Sequence, residues 1–149
     1  MARNHPHAIE RPHHFQVHVG ALAAAADFSV TVPVLAEWKL VAMHIRITTD
    51  ANAADRLFRL EYTTVGQPDF DAIINPSLIA NTQYDLWWGM GFGHFNNLFN
   101  AGLMTGAIPD GPIIPGLGEI RTRLDNGQAG DRINAVDYQV YQWLDPVHG

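Results

Sequence analysis

The chain has no cysteine, which excludes a disulfide framework, thiol catalysis and any Cys-ligated zinc or iron–sulfur site. It has a single lysine, Lys39, and charged residues make up only 16% of it, against about 25% in an average globular domain. Serine is almost as scarce. Ser29 and Ser77 are the only two, and neither sits in a Gly-x-Ser-x-Gly elbow, so serine-hydrolase chemistry is not expected. Positive charge is in deficit: Lys plus Arg number 9, Asp plus Glu 15, for a formal net charge of −6. A polyanion binder carries a positive face, so nucleic acid is not expected as a direct ligand. No apolar run approaches the roughly 20 residues of a membrane helix. The opening Met1-Ala2-Arg3-Asn4-His5-Pro6 has no apolar stretch behind it, so no secretion signal and no membrane association are expected.

What is present is apolar. Hydrophobic residues are 47% of the 149, enough for one sizeable core and too many for a disordered chain. A domain of this size usually keeps its surface wet with charge. A surface so poor in charge suits one that is covered by other subunits. It also suits a source genome that favours Ala, Gly and Arg.

Period-two alternation dominates, as in half-buried strands. Phe28, Val30, Val32 and Val34 alternate with polar residues, and so do Phe58, Leu60 and Tyr62, then Tyr84, Leu86 and Trp88, then Ile120, Thr122 and Leu124. Val41, Met43, Ile45 and Ile47 share one face of a further segment, whose other face, Trp38, Leu40, Ala42, His44 and Arg46, is mixed. The last segment slips parity between Ile133-x-Ala135 and Val136-x-Tyr138-x-Val140, which predicts a bulge near Ala135 or a strand covered on both faces. Asn126-Gly127 is a strong tight-turn dipeptide. Phe92, Phe95, Phe99 and Leu103 are spaced like a helical stripe, but the glycines around them allow at most a turn or two. Together these features predict an all-β chain: an antiparallel β-sandwich of about eight strands. The predicted inward set is Val41, Met43, Ile45, Phe58, Leu60, Tyr62, Leu86 and Leu124. Residues 1–27 are assigned to an extended N-terminal arm and first strand, and residues 28–149 to the sandwich domain.

Eight histidines raise the question of metal. His5 and His7 with Glu10 loosely echo the His-x-His…Glu run of an oxygenase, but in a Pro-broken arm that cannot hold ligands rigidly. His14 and His18 would share a strand face with Gln16 between them. No cofactor is expected. Asp69 with Asp71, and Asp131 with Asp137, read as solvated turn acids rather than a catalytic pair. Residues 89–93 resemble a phosphate loop only in their glycines. Trp87, Trp88, Phe92, Phe95 and Phe99 suit either a sugar-stacking platform or a subunit contact, and the low charge favours contact. The candidate interface residues are therefore His5, His7, His13 and His14 in the arm, and Trp87, Phe92, Phe95, Phe99 and Leu103 after it.

The layout of turns resembles a known family. Residues 38–47 lead into Thr48-Thr49-Asp50, then Asp55-Arg56 and a strand over 57–62. Leu78-Ile79-Ala80 precedes Tyr84 and the glycines of 89–93. Ile108-Pro109 and residues 113–116 approach a strand over 120–124, followed by Gln128-Ala129-Gly130-Asp131 and an aromatic run over 138–143. Over roughly residues 28–143 this resembles the small jelly-roll virion structural proteins of tailed bacteriophages. The match departs at Tyr141-Gln142-Trp143, where an acidic residue is expected before the aromatic. The resemblance implies a jelly-roll type sandwich without catalytic residues. It further implies a capsid decoration, cement or head-to-tail junction role in the virion, assembled in the host cytoplasm. The expected partners are copies of itself, as a trimer, and the major capsid protein or other virion proteins. The alternative is a tail-associated carbohydrate- or receptor-binding module, with its platform around Asn96, Asn97 and Asn100.

Overall fold

A computed structural model of the chain describes residues 11–64, 67–73, 77–91, 95–96, 102–108 and 113–144. Ten strands run through them: β1 (His13–Val19), β2 (Ser29–Thr31), β3 (Ala36–Thr48), β4 (Leu57–Thr64), β5 (Gln67–Ile73), β6 (Gln83–Met90), β7 (Phe95–Asn96), β8 (Leu103–Ile108), β9 (Glu119–Asp125) and β10 (Arg132–Leu144). They form a six-stranded sheet in the order β1-β10-β3-β6-β8-β7 and a four-stranded sheet in the order β2-β9-β4-β5. The molecule is an all-β sandwich, as the alternation predicts.

Two more strands appear than expected, and one pairing is not antiparallel. β8 runs parallel to β6, and the two-residue β7 caps it antiparallel. A parallel neighbour needs a connection of about a dozen residues, and residues 91–102 separate β6 from β8 in the sequence. Without β7 and β8, eight strands remain. Their orders are β1-β10-β3-β6 and β2-β9-β4-β5, so most steps along the chain cross from one sheet to the other.

Buried side chains from both inner faces fill the space between the sheets. Trp88, Phe58, Met43, Ile45, Leu60, Leu86 and Ile120 are almost wholly enclosed, each contributing about 1.5–3 kcal/mol of apolar burial. The expected inward set holds for Met43, Ile45, Phe58, Leu60, Tyr62 and Leu86, and Leu124 is partly buried against the core. Val41 does not belong to it. The register of β3 against β10 passes from Ala42–Gln139 to Leu40–Val140, so Val41 is an extra residue in a bulge. Strand parity flips there. Ala36, Trp38 and Leu40 are buried on one side of the bulge and Met43, Ile45 and Ile47 on the other. Trp38 and Leu40 thus leave the mixed face assigned to them and join the core. The bulge expected near Ala135 is present, with Asn134 the extra residue between Ile133 and Ala135.

Asn126-Gly127 does turn the chain, with Asn126 at φ 55°. It does not close a hairpin, because β9 and β10 lie in different sheets. The turn instead belongs to a buried ionic pin. Arg56, with no exposed surface, donates from Nε to Asp131 Oδ2 at 2.7 Å and from Nη2 to Asp50 Oδ1 at 2.7 Å. Asp131 also accepts from the backbone N–H groups of Asp50 and Gln128, at 2.8 and 2.7 Å. Burial pushes the Asp131 carboxyl up, but the Arg56 guanidinium and these N–H donors outweigh it and hold the group below the usual carboxylate range. Asp131 is therefore a buried structural acid and not the solvated turn acid expected. The backbone of Arg56 receives Leu78 N–H at 2.9 Å, and Thr49 Oγ1 donates to Ile79 carbonyl at 2.6 Å. The separate turn motifs 48–50, 55–56, 78–80 and 128–131 thus meet at one end of the sandwich.

Candidate functional site

Two surfaces carry side chains that the core does not use. The first is the end of the sandwich opposite the Arg56 pin. There the β2–β3 turn packs on the segment before β9: Leu117 N–H donates to Val32 carbonyl at 2.9 Å, and Val32 N–H to Gly118 carbonyl at 2.8 Å. Ile114 and Trp38 exchange both backbone hydrogen bonds, at 2.9 and 2.7 Å. Leu144 pairs with Ala36 at the end of β10. On this frame Val34, Leu35, Ile113, Leu117 and Leu144 are all exposed. Leu117 does so at φ 67°, a left-handed conformation that costs a bulky residue about 1 kcal/mol or more. Asn or Gly would occupy that position without strain. Gly116 is fixed by close packing, since a Cβ there would lie 2.3 Å from the Val34 carbonyl oxygen.

The second surface is the outer face of the six-stranded sheet. The register aligns His18, Asp137, His44 and Trp87 as one row across β1, β10, β3 and β6. His18 Nδ1 lies 2.6 Å from Asp137 Oδ1. His44 Nδ1 lies 3.1 Å from Asp137 Oδ2, and its Nε2 lies 2.7 Å from Asp85 Oδ1. Arg46 Nε donates to the same Asp85 oxygen at 3.0 Å. With a carboxylate at each ring nitrogen, His44 can donate from both when it carries two protons. Burial raises both carboxyls, but His44 with Arg46 at Asp85, and His18 with His44 at Asp137, outweigh it and hold each below the usual range. The Trp87 indole stacks on the His44 ring at 4.1 Å and 22° and remains 39% exposed.

Of the residues expected to form an interface, Trp87 lies in this row, and half-buried Leu103 lines the depression beside it. His13 and His14 are exposed on the edge strand β1, with the His14 ring 5.3 Å from that of Tyr141. β1 thus begins at His13, within the residues 1–27 assigned to the arm and first strand. Phe95 falls in β7 and Leu103 opens β8, so these two members of the apolar stripe are in strands and not in a helix. His5, His7, Phe92 and Phe99 lie outside the described residues, as do Asn97 and Asn100 of the alternative platform. Asp137 belongs to the histidine row and Asp131 to the Arg56 pin, so these two do not act as a pair. Among the described residues no group of three or more His, Asp or Glu is arranged to hold a metal ion, and His44 is engaged by its two carboxylates.

Sequence reasoning put His44 and Asp85 on the outward faces of their strands but did not bring them together. That needs the cross-strand register, which alternation does not encode. The apolar end was also missed: Val34 reads as continuing an alternating run, Leu144 closes β10, and Leu35, Ile113 and Leu117 lie between strands with no period to flag them. No family model matches the chain, and neither a curated protein nor a solved structure matches it.

Proposed function

We propose that this chain is a non-enzymatic structural component of a tailed-phage virion, a decoration, cement or head-to-tail junction protein that works by assembly. In this reading its sandwich is a jelly roll. The eight strands outside the β7–β8 insertion follow an order in which the chain passes repeatedly between the two sheets, as two linked Greek keys require. One observation carries the assembly role: the apolar end where Leu117 is held exposed in a strained conformation. Leu117 is 57% exposed there, so its side chain adds little to the chain's own core. Burial against a neighbour would offset both the strain and the exposure. The low content of charge points the same way, and closed symmetry is the default for such contacts.

The partner at this end is a second copy of the chain, in a trimer, with the major capsid protein as the surface the trimer sits on. Sedimentation equilibrium of the pure protein at micromolar concentration is expected to give a trimer, and the double variant Leu35→Asp/Leu117→Asn a monomer. A monomeric wild type would overturn self-assembly. An antibody to the chain is expected to label intact particles, and labelling confined to unassembled lysate protein would overturn the virion placement.

A further inference from the structure

The row next to His18, Asp137, His44 and Trp87 on the outer sheet face is unlike it. Two residues along each strand the register aligns Gln16, Gln139, Ala42 and Gly89, and Ala107 continues the row on β8. From β3 to β8 this row offers only a methyl group or a hydrogen beside a tryptophan. Over Ala42 lies a depression of about 280 Å³, bounded by Trp87, His44 and Asp137 on one side and by Gln16 and Gln139 at the end. A second, of about 400 Å³, lies along Arg46, Gln83, Asp85 and Leu103 and shares Trp87 and His44. Trp87 is thus common to both hollows.

We propose that this outer face is a binding site for a neutral oligosaccharide, with one sugar ring on the face of Trp87 that His44 leaves open and its neighbours in the two hollows. The chemistry fits in three respects. An indole fixed by stacking offers a preorganised flat apolar surface for the axial C–H groups of a pyranose. The side-chain amides of Gln16, Gln83 and Gln139 make no hydrogen bond among the described residues, and each can both donate to and accept from a hydroxyl. Asp85 receives His44 and Arg46 on one oxygen, and its other oxygen accepts no hydrogen bond among the described residues. Charge selects for neutrality. A phosphate or uronate would meet Asp85 and Asp137, and a polycation would meet Arg46. The site lies on the broad face of the sheet and not on the apolar end, so it is independent of assembly.

Calorimetric titration of the full chain with maltotriose, cellotriose, chitotriose and mannotriose tests this. At least one is expected to bind saturably in the micromolar to millimolar range, with Trp87→Ala weakening it roughly tenfold. Ala42→Leu fills the hollow without touching Trp87 and is expected to weaken it similarly, with an unchanged unfolding midpoint. Two results would overturn the site: no binding of any of the four by wild type at millimolar concentration, or binding unaffected by both variants. Leu117→Asn is expected to leave affinity per chain unchanged, so failure of the sugar site and failure of self-assembly are separately visible.

Discussion

The two ends of the sandwich solve the same problem in opposite ways. Both are built from turns joining strands of different sheets, and the thirteen residues of β3 separate them by roughly 40 Å. At the Arg56 end every turn is tied to another through a charged hub: Asp50, Asp131 and the carbonyl of Asn52 all receive the buried guanidinium. That end is tied together within the isolated chain, although the buried Arg56 Nη1 finds no hydrogen-bond partner among the described residues. At the Leu117 end the backbone is equally well paired, yet Val34, Leu35, Ile113, Leu117 and Leu144 are exposed, against Ile79 at the Arg56 end among the described residues, and Leu117, like Ala25 at the other end, is held at positive φ. The difference separates a terminus organised for folding from one organised for contact.

The largest effect is expected at the hub. Arg56→Ala leaves Asp131 buried without its cation, and urea unfolding at neutral pH should show a loss of about 3–5 kcal/mol. The pH dependence follows from the depressed carboxyl of Asp131. Its contribution is present above the unfolded value of 3.8 and is lost as pH falls through the lower folded value. The gap between wild type and variant should therefore narrow in that acid range. A loss under about 1 kcal/mol would mean the pin is not what holds this end.

Next in size is Gly116→Ala at the opposite end. Its Cβ would meet the Val34 carbonyl oxygen at 2.3 Å and carbon at 2.8 Å, both of them backbone. A cost of about 1–3 kcal/mol is expected, together with weakened self-association as Val34 moves. An intact oligomer would detach assembly from this turn. Leu117→Asn should act with the opposite sign on folding. Relief of the left-handed strain is expected to stabilise the monomer by about 1 kcal/mol in thermal unfolding, while sedimentation shows the oligomer lost. If both stability and association fall, the residue serves the fold and the contrast between the ends fails.

The smallest effect returns to the Arg56 end, where a cavity of about 110 Å³ is lined by Asp27, Phe58, Leu124 and Gln128. Burial raises the Asp27 carboxyl, against the Leu124 backbone hydrogen bond that lowers it. Its ionised form is thus disfavoured in the fold, so Asp27 reduces stability above its folded value and not below 3.8. Asp27→Asn should bring a small rise in melting temperature at neutral pH that vanishes in acid. A fall at neutral pH would mark Asp27 as another member of the polar hub.

Alternation made most of the core legible, because Phe58, Leu60, Tyr62 and Leu86 repeat at the period that a sheet imposes. It misassigned the first half of β3, where Trp38 and Leu40 sit on the inner side despite sharing parity with His44 and Arg46. A bulge changes parity within a run that contains no turn residue to announce it. The slip near Ala135 could be seen, since apolar residues of both parities flank it. The parallel placement of β8 could not, as the same residues serve equally well in a hairpin. Trp87 was singled out on its outward parity alone. Its partners His44, Asp85 and Asp137 come from three strands spanning about ninety residues, and only pairing register unites them.

The spare residue in β3 carries a consequence of its own. Val41 is only half-buried, and its side chain is open to exchange for many others at small cost. Removing the residue is another matter. Closing the gap would rotate one flank of the strand by half a pleat, carrying either Trp38 and Leu40 or Met43, Ile45 and Ile47 out of the interior. Position 41 should thus accept almost any substitution and refuse every deletion: a site whose presence, and not whose chemistry, the molecule depends on.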